Sequence, residues 1–141
     1  MVSRTKYKVK FYDTDLMKVI HHSNYIRWFE IGRVELLRKV GVTLGEMMDD
    51  GYVFPITEVE AKFHHPGTFD DELIIETTPT ALTKVKMEFD YRIIRMDGDK
   101  ETVLVTGHTQ NVYTSMKTGR ITRLPEKYMV RFAKAMEDEK E

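Results

Sequence analysis

The stretch YDTDLMKVIHHSNYIRWFEIGR, residues 12–33, carries two aspartates, a histidine pair and a run of aromatic residues. Its first half is polar, and either Ser23 or Asn24 can cap a helix that starts there. Apolar residues then recur at helical spacing to about Val40, and Gly41 stands where a helix stop is expected. The stretch therefore predicts a loop that leads directly into a long helix.

The predicted helix is apolar around much of its circumference. A helix with so wide an apolar surface needs burial on most sides, so we expect a core helix wrapped by a sheet. One curled sheet covers only part of such a helix, and a second subunit is a natural cover for the rest. The apolar arc comprises Tyr25, Ile26, Phe29, Leu36, Leu37 and Val40, extended by Trp28, Ile31 and Val34.

Period-two alternation predicts one strand before the helix and four after it. Residues 5–12 place Tyr7, Val9 and Phe11 on one face and three lysines on the other. After Gly51 the alternation returns in the segments EVEAKF, DELIIET, KVKMEFDYRII and TVLVTGHTQNVYT. The order of elements predicts an α+β fold in which an antiparallel sheet curls around one helix.

Shorter signals complete this interpretation. Thr43 and Glu46 have capping-box spacing, which predicts one or two further helical turns. The DGD at 97–99 supplies a hairpin turn, and Pro125 marks the start of a last helix. This helix leads into a charged tail that we expect to be solvated.

Composition limits the function classes. The chain has 141 residues, which we interpret as a single domain over 1–141, and its formal net charge of -1 gives no basic field for nucleic acid. It has no cysteine, which excludes disulfides and thiol nucleophiles. The N-terminus lacks the apolar core of a signal peptide, and no apolar run approaches the ~20 residues that span a bilayer. We therefore expect a cytoplasmic protein without membrane or nucleic-acid partners.

The segment YDTDLMKVIHHSNYIRWFEIGRVELL resembles the acyl-CoA thioesterase branch of the 4-hydroxybenzoyl-CoA thioesterase family. HHPGTFDDELIIET and GRITRLPEKY are similar to later segments of that family. Lys18 stands where the family usually has glycine, and His21 where it often has tyrosine. The resemblance implies the hotdog fold, an antiparallel five-stranded sheet wrapped around one long central helix. The matching residues are Asp13, Thr14, Asp15, Val19, His22, Asn24, Tyr25, Trp28, Phe29, Glu30 and Arg33.

Asp15 is the candidate for thioester chemistry. A carboxylate can attack the carbonyl or activate water, and the unpaired amides of a helix N-terminus can hold the oxyanion. The alternative is that Asp15 only forms a turn, the role we assign to Asp13. The resemblance implies catalysis by the residue that matches Asp15, with amides near His22 polarising the carbonyl. His22 could orient substrate, help a proton move, or contribute only its backbone N–H, and we expect His21 to point elsewhere.

Four residues are candidates for substrate binding. Ser23, Asn24 and Tyr25 lie at the predicted helix start, although capping and core packing are equally available roles for residues there. Lys84 stands where the resemblance implies contacts to the nucleotide of coenzyme A, and a solvated surface charge is the alternative.

A metal site is not expected. Histidine pairs occur at 21–22 and 64–65, but adjacent strand residues face opposite sides, and no ligand spacing such as HExxH is present. The predicted function is hydrolysis of an acyl-CoA or aryl-CoA thioester without metal or redox cofactor. The resemblance also implies a homodimer or homotetramer. A non-catalytic acyl-CoA or fatty-acid binding module is the alternative, and a hotdog dehydratase ranks last because its histidine-centred signature is not evident.

Overall fold

The structure, a computed structural model, describes residues 1–137, and the predicted charged tail at 138–141 lies outside this range. None of the helices within 1–137 has the length and apolar character to cross a bilayer. The helices are α1 (Ser23–Lys39), α2 (Leu44–Asp49) and α3 (Glu126–Met136). The strands are β1 (Ser3–Lys8), β2 (Tyr52–Val53), β3 (Ile56–Phe63), β4 (Glu72–Leu82), β5 (Lys86–Asp97), β6 (Lys100–Val112) and β7 (Thr114–Ser115).

Five strands form one antiparallel sheet in the order β1-β4-β5-β6-β3, and β2 pairs with β7 separately. The α+β prediction is confirmed. The alternation predicted for β5 is visible as burial of Met87, Phe89, Tyr91 and Ile93, but it was wrong for Val85, which precedes the strand and is 39% exposed. The predicted hairpin joins β5 to β6, with Gly98 at a φ of 66°. β1 and β3 are the two edges of the sheet, so their outer hydrogen-bonding groups have no partner strand within residues 1–137.

Helix α1 lies across the middle of this sheet. The Phe29 ring stacks on the Tyr91 ring with centroids 4.4 Å apart. The same ring covers Gly107, where an added Cβ would come within 2.6 Å of it. The helix is buried along most of the predicted arc, but Ile31 and Val34 are half-buried and Ile26 is 37% exposed. The expectation of burial was therefore wrong for Ile26 within a single chain, because that residue faces away from the sheet.

The predicted first strand is shorter than its alternation indicated. β1 ends at Lys8, and residues 11–13 form a single 3-10 turn. The Asp13 carboxylate causes this turn, because it accepts hydrogen bonds from the Lys10 amide (2.9 Å) and the Tyr7 hydroxyl (2.8 Å). Phe11 was expected on the buried face, and this was wrong, since the turn leaves it 76% exposed.

Gly32 sets how closely α1 approaches the sheet. A Cβ at this position would lie 2.8 Å from Ile75 Cγ2 and even closer to Thr77 Oγ1. We expect Gly32→Ala to lower the free energy of unfolding by about 2 kcal/mol, because helix and sheet must separate to admit the methyl group. Gly45→Ala in α2 is the matched control: nothing lies within 4 Å of the new Cβ. It should raise stability by up to about 1 kcal/mol through helix propensity. Urea unfolding of both variants measures the difference, and equal effects would contradict this account of the helix contact.

Candidate active site

Asp15 lies in a tight turn between β1 and α1. Its backbone N–H donates to Val19 O and its carbonyl accepts from the Lys18 amide, each at 2.9 Å. The Met17 amide donates to Asp15 Oδ1 at 2.8 Å. The other carboxylate oxygen, Oδ2, has no hydrogen-bond partner within residues 1–137. The turn therefore fixes a half-buried carboxylate and leaves one of its oxygens available.

Lys18 adopts a φ of 65°, a left-handed conformation that glycine adopts without strain. The turn at residues 15–19 therefore adopts a backbone conformation that favours glycine, although a lysine occupies position 18. A left-handed conformation costs a residue with a Cβ roughly 1–2 kcal/mol. Replacing the lysine by glycine would remove this strain, but the greater conformational entropy of glycine in the unfolded chain would offset part of the gain in stability.

We expect Lys18→Gly to raise the free energy of unfolding by about 0.5–1 kcal/mol, measured by urea unfolding. The matched variant Lys10→Gly changes a lysine with an ordinary φ of -91°. It should lower stability by a similar amount. If both changes destabilise the chain equally, the lysine turn is not strained.

The Asp15 loop is fastened to the start of α1. The carbonyl of buried Asp13 accepts hydrogen bonds from the His21 amide (2.9 Å) and from Asn24 Nδ2 (2.8 Å). Asn24 is itself buried, and its side-chain N–H₂ is directed at the loop. The predicted side-chain cap was wrong for both Ser23 and Asn24, because the helix N-cap is His22 and no side chain caps it. These contacts hold the catalytic candidate and the helix start in one rigid unit.

One backbone amide at the helix start is free. The N–H groups of His21, Ser23, Asn24 and Tyr25 each have an acceptor nearby. The His22 amide has none among the described residues. An unpaired N–H at the positive end of a 17-residue helix is suited to stabilise an oxyanion.

A pocket of about 330 Å³ opens at this helix start. It brings together three of the predicted residues, Asp15, His22 and Tyr25. It also contains residues from the end of β3 and the following loop that sequence reasoning did not assign to the site. Their only signal was the HHPG segment of the resemblance. The lining residues are Asp15, Val19, Ile20, His22, Tyr25, Phe63, His64, His65 and Pro66.

The two adjacent histidines lie together. The His21 and His22 rings stack with centroids 4.3 Å apart, and His22, but not His21, lines the pocket. His21 Nδ1 is 2.7 Å from Ser23 Oγ, and this contact turns the Ser23 hydroxyl towards His21. Ser23 is exposed and does not line the pocket, in contrast to His22.

Tyr25 forms an apolar wall of the pocket. It is 3% exposed, and its ring packs against Trp28 and Phe63 with centroid distances of 5.3 Å and 5.7 Å. Burial, together with the negative charge of Asp71, raises the pKa of the Tyr25 hydroxyl to about 12. Tyr25 is therefore neutral near pH 7 and presents a ring face to an acyl or aryl group.

Lys84 is not brought to this pocket. It lies in the turn between β4 and β5 and pairs with Glu126 at 3.3 Å. The pocket is at the other end of the sheet, seven residues along β5, or about 24 Å at the usual strand rise. No set of three or more metal-ligating side chains within residues 1–137 could hold a metal ion.

An antiparallel five-stranded sheet wrapped around one long helix is the hotdog fold. The sequence profile of the thioesterase-like superfamily matches residues 9–132. The chain belongs to the thioesterase-like superfamily, and this membership makes it a thioester hydrolase. The family, the hotdog fold and the enzyme class predicted from the sequence are thereby confirmed.

Individual relatives agree with this assignment. A putative esterase of Aquifex aeolicus is 26% identical over 122 residues, covering 86% of this chain and 91% of the relative. The acyl-CoA thioester hydrolase YbgC of Escherichia coli is 27% identical over 90 residues, 64% of this chain and 67% of the relative. The solved structure of hypothetical protein TT1821 from Thermus thermophilus superposes with a TM-score of 0.85 at 28% identity, over 94% of this chain and 98% of that one.

Proposed function

We propose that the chain hydrolyses acyl-CoA thioesters to a free acid and coenzyme A, with Asp15 as nucleophile or general base. The observation that carries the proposal is the presence of two unused groups beside one pocket. These are Oδ2 of Asp15 and the backbone N–H of His22, the only two polar partners that thioester cleavage needs from the chain. The similarity to an acyl-CoA thioester hydrolase supports coenzyme A as the leaving group.

Two routes use the same residues. In the nucleophilic route, the Asp15 carboxylate bonds to the carbonyl carbon, the C–S bond breaks, and coenzyme A leaves as a thiolate that takes a proton from solvent. Water then hydrolyses the mixed anhydride and restores Asp15. In the general-base route, Asp15 removes a proton from water as the water attacks. Single turnover in isotopically labelled water identifies the nucleophilic route in which water attacks the Asp15 carboxyl carbon of the anhydride, because the released acid then carries an unlabelled Asp15 oxygen and the label enters Asp15.

The pocket walls supply the binding of the acyl group. Val19, Tyr25 and Phe63 give it apolar sides, and the His22 ring lies edge-on to Phe63 at 6.2 Å. We assign Tyr25 to substrate binding on this basis. We place Asn24 in a positioning role, because its side-chain N–H₂ holds the Asp15 loop through Asp13. We give Ser23 the same positioning role, because its hydroxyl contacts His21 at the end of the loop.

Thiol release measured over short, long and aryl CoA esters tests the proposal, with Asp15→Asn as the inactive control. Calorimetric titration of the same esters runs in parallel. Tight binding without thiol release would favour the alternative, a non-catalytic acyl-CoA or fatty-acid binding module, for which the lysine at position 18 is the supporting observation. Thiol release that Asp15→Asn abolishes excludes that alternative.

We also propose that two chains associate through the free edge of β3. On the side of β3 that faces the helix, Ile56, Val59 and Phe63 are between 41% and 55% exposed. A second sheet paired with this edge would cover these apolar side chains. An antiparallel pairing centred on Ala61 places Val59 opposite Phe63 of the second chain. The same register places Glu60 opposite Lys62 of the second chain, twice over by symmetry.

Arg33 supports association on this side of the sheet. It is 4% exposed, yet the only hydrogen bond of its side chain within residues 1–137 is to the Tyr91 hydroxyl at 3.3 Å, and its Nε has no partner there. Tyr91 in turn bonds Thr109, which is opposite Val59 on β3. A buried guanidinium without a carboxylate is costly, which is a reason to expect a partner group for Arg33 from a second chain.

The charges of β3 provide a test of the register. We expect Glu60→Lys to raise the dimer dissociation constant about tenfold, because two attractive pairs become repulsive. The exchange Glu60→Lys/Lys62→Glu restores both pairs and should return the constant to the wild-type value. Sedimentation across a dilution series measures all three proteins and also distinguishes a dimer from a tetramer. A double variant as weak as the single one contradicts this register.

A further inference from the structure

The face of the sheet that points away from α1, called the outer face below, carries the lysines of β1. Tyr7 packs against Trp28 of α1 with ring centroids 4.8 Å apart, so alternation turns Lys6 and Lys8 to the outer face. On β4 the residues on either side of Ile74 belong to the core beneath the helix, and Ile74 therefore faces outward as well. Lys6 and Ile74 are opposite each other in the pairing of β1 with β4.

Lys6 interrupts a ladder of opposite charges. The two residue pairs that flank it on the outer face each join a base of β1 to an acid of β4. These pairs are Arg4 with Glu76 and Lys8 with Glu72. Lys6 has Ile74 opposite instead, and it forms no ion pair with an acid of residues 1–137. Because opposite charges across a strand pair stabilise each other, this is the position of the ladder at which an acid is missing.

Apolar side chains continue from Ile74 across the outer face. Ile94 of β5 is opposite Ile74 and is fully buried, although it is not part of the core cluster beneath the helix. Met96 follows two residues later on β5, so it lies on the same face, and it is half-buried. The lysine without an acid therefore stands at the edge of an apolar patch.

A cavity of about 500 Å³ opens over this patch, a size that suits a small organic molecule. Lys6 and Lys8 supply its positive charges, and Ile74 and Met96 supply apolar surface. Glu72 is the only acid that lines it, and this residue is opposite Lys8. None of these residues lines the active-site pocket at the start of α1. The cavity thus combines one uncompensated cation with apolar surface, away from the candidate catalytic groups.

We propose that this cavity binds a carboxylic acid with an apolar body, whose carboxylate takes the place of the missing acid beside Lys6. An ammonium group holds a carboxylate by a charge-assisted hydrogen bond, and the apolar body leaves water by covering Ile74 and Met96. The inference rests on the proposed function in one respect, since the free acid released by thioester hydrolysis has this chemistry. An acid bound on the outer face does not occupy the pocket that contains Asp15.

Calorimetric titration of the full chain with octanoate and with octanamide, its uncharged analogue, tests the proposal. Lys6→Ala is expected to weaken octanoate binding about three- to tenfold, as the loss of one charge-assisted contact does, and to leave octanamide binding unchanged. Added salt should reduce the difference between wild type and variant. Lys117→Ala, at an exposed lysine in the turn after β7, is the matched control and should bind both probes as the wild type does.

Amide NMR spectra recorded during the octanoate titration locate the bound acid. The resonances of Lys6, Ile74 and Met96 should shift with the affinity that calorimetry gives, whereas those of Val19 and His22 report on the active-site pocket. Shifts confined to the active-site pair overturn the proposal, as does an octanoate affinity that Lys6→Ala leaves unchanged. Shifts of the outer-face resonances that follow protein concentration instead of octanoate assign the patch to a second copy of the chain and also overturn it.

The titration does not depend on turnover, so the two proposals fail separately. Absence of thiol release together with Lys6-dependent octanoate binding contradicts hydrolysis and leaves the carboxylate site standing. Thiol release without octanoate binding beside Lys6 contradicts the carboxylate site alone.

Discussion

Asp15→Asn is expected to lower the turnover of an acyl-CoA thioester by at least about 10³-fold, because no other carboxylate lines the pocket within residues 1–137. The amide keeps the shape of the side chain but can neither attack the carbonyl nor accept a proton from water. Thiol release under saturating substrate measures the loss in kcat. The effect should appear in kcat with little change in KM, because Asp15 acts on the reacting carbon rather than on the remainder of the substrate.

The stability of Asp15→Asn should stay within about 0.5 kcal/mol of the wild type. The one side-chain bond of Asp15, from the Met17 amide to Oδ1, survives in asparagine. Asp49→Asn on α2, far from the pocket, is the matched control and should keep the wild-type rate. Asp13→Asn should behave in the opposite way and lose stability, because the buried carboxylate that accepts from Tyr7 and Lys10 is removed. Wild-type turnover in Asp15→Asn would refute the catalytic assignment.

His22→Pro is expected to lower kcat by about 10²–10³-fold, the usual loss when one oxyanion donor is removed. Proline deletes the backbone N–H together with the imidazole ring, and this N–H has no partner within residues 1–137, so no internal backbone hydrogen bond is broken. Its ring requires a φ near -65°, and His22 already has a φ of -57°. Proline is also well tolerated at helix starts, and we therefore expect the fold to be retained.

His22→Ala separates the amide from the imidazole. It keeps the N–H and removes the ring, so turnover within about fivefold of the wild type is expected if the amide is the catalytic group. Circular dichroism and urea unfolding of both variants establish that they are folded. A loss in His22→Ala as large as that in His22→Pro would assign the role to the ring instead.

The fold was predictable because its signals are local. The wide apolar arc of α1 and the alternation of β5 each lie within one segment, and the structure buries nearly all of both. The errors occurred where a side chain overrode the pattern. Phe11 continues the alternation of β1, but the Asp13 carboxylate turns the chain before that residue can pair. Ile26 fits the arc by its spacing, yet it remains exposed because it faces away from the sheet.

The site was predictable only in part, for a related reason. Asp15 and His22 are close in sequence, so the loop and the helix start indicated them together. His64 and His65 reach the same pocket through the pairing of β3 with β6, and alternation does not reveal which strands become neighbours. Lys84 was selected by position in the resemblance, and within one chain the register of β4 with β5 places it at the far end of the sheet from this pocket.

The free edge of β3 also affects how readily the monomeric chain aggregates. Eight residues of open backbone beside an apolar row form the kind of template on which aggregates grow. Glu58, Glu60 and Lys62 lie on that strand, and charges in such positions act as gatekeepers against stacking in arbitrary alignments. The charged residues of β3 that would set the register of the dimer would therefore also reduce aggregation of monomeric chains before the dimer forms.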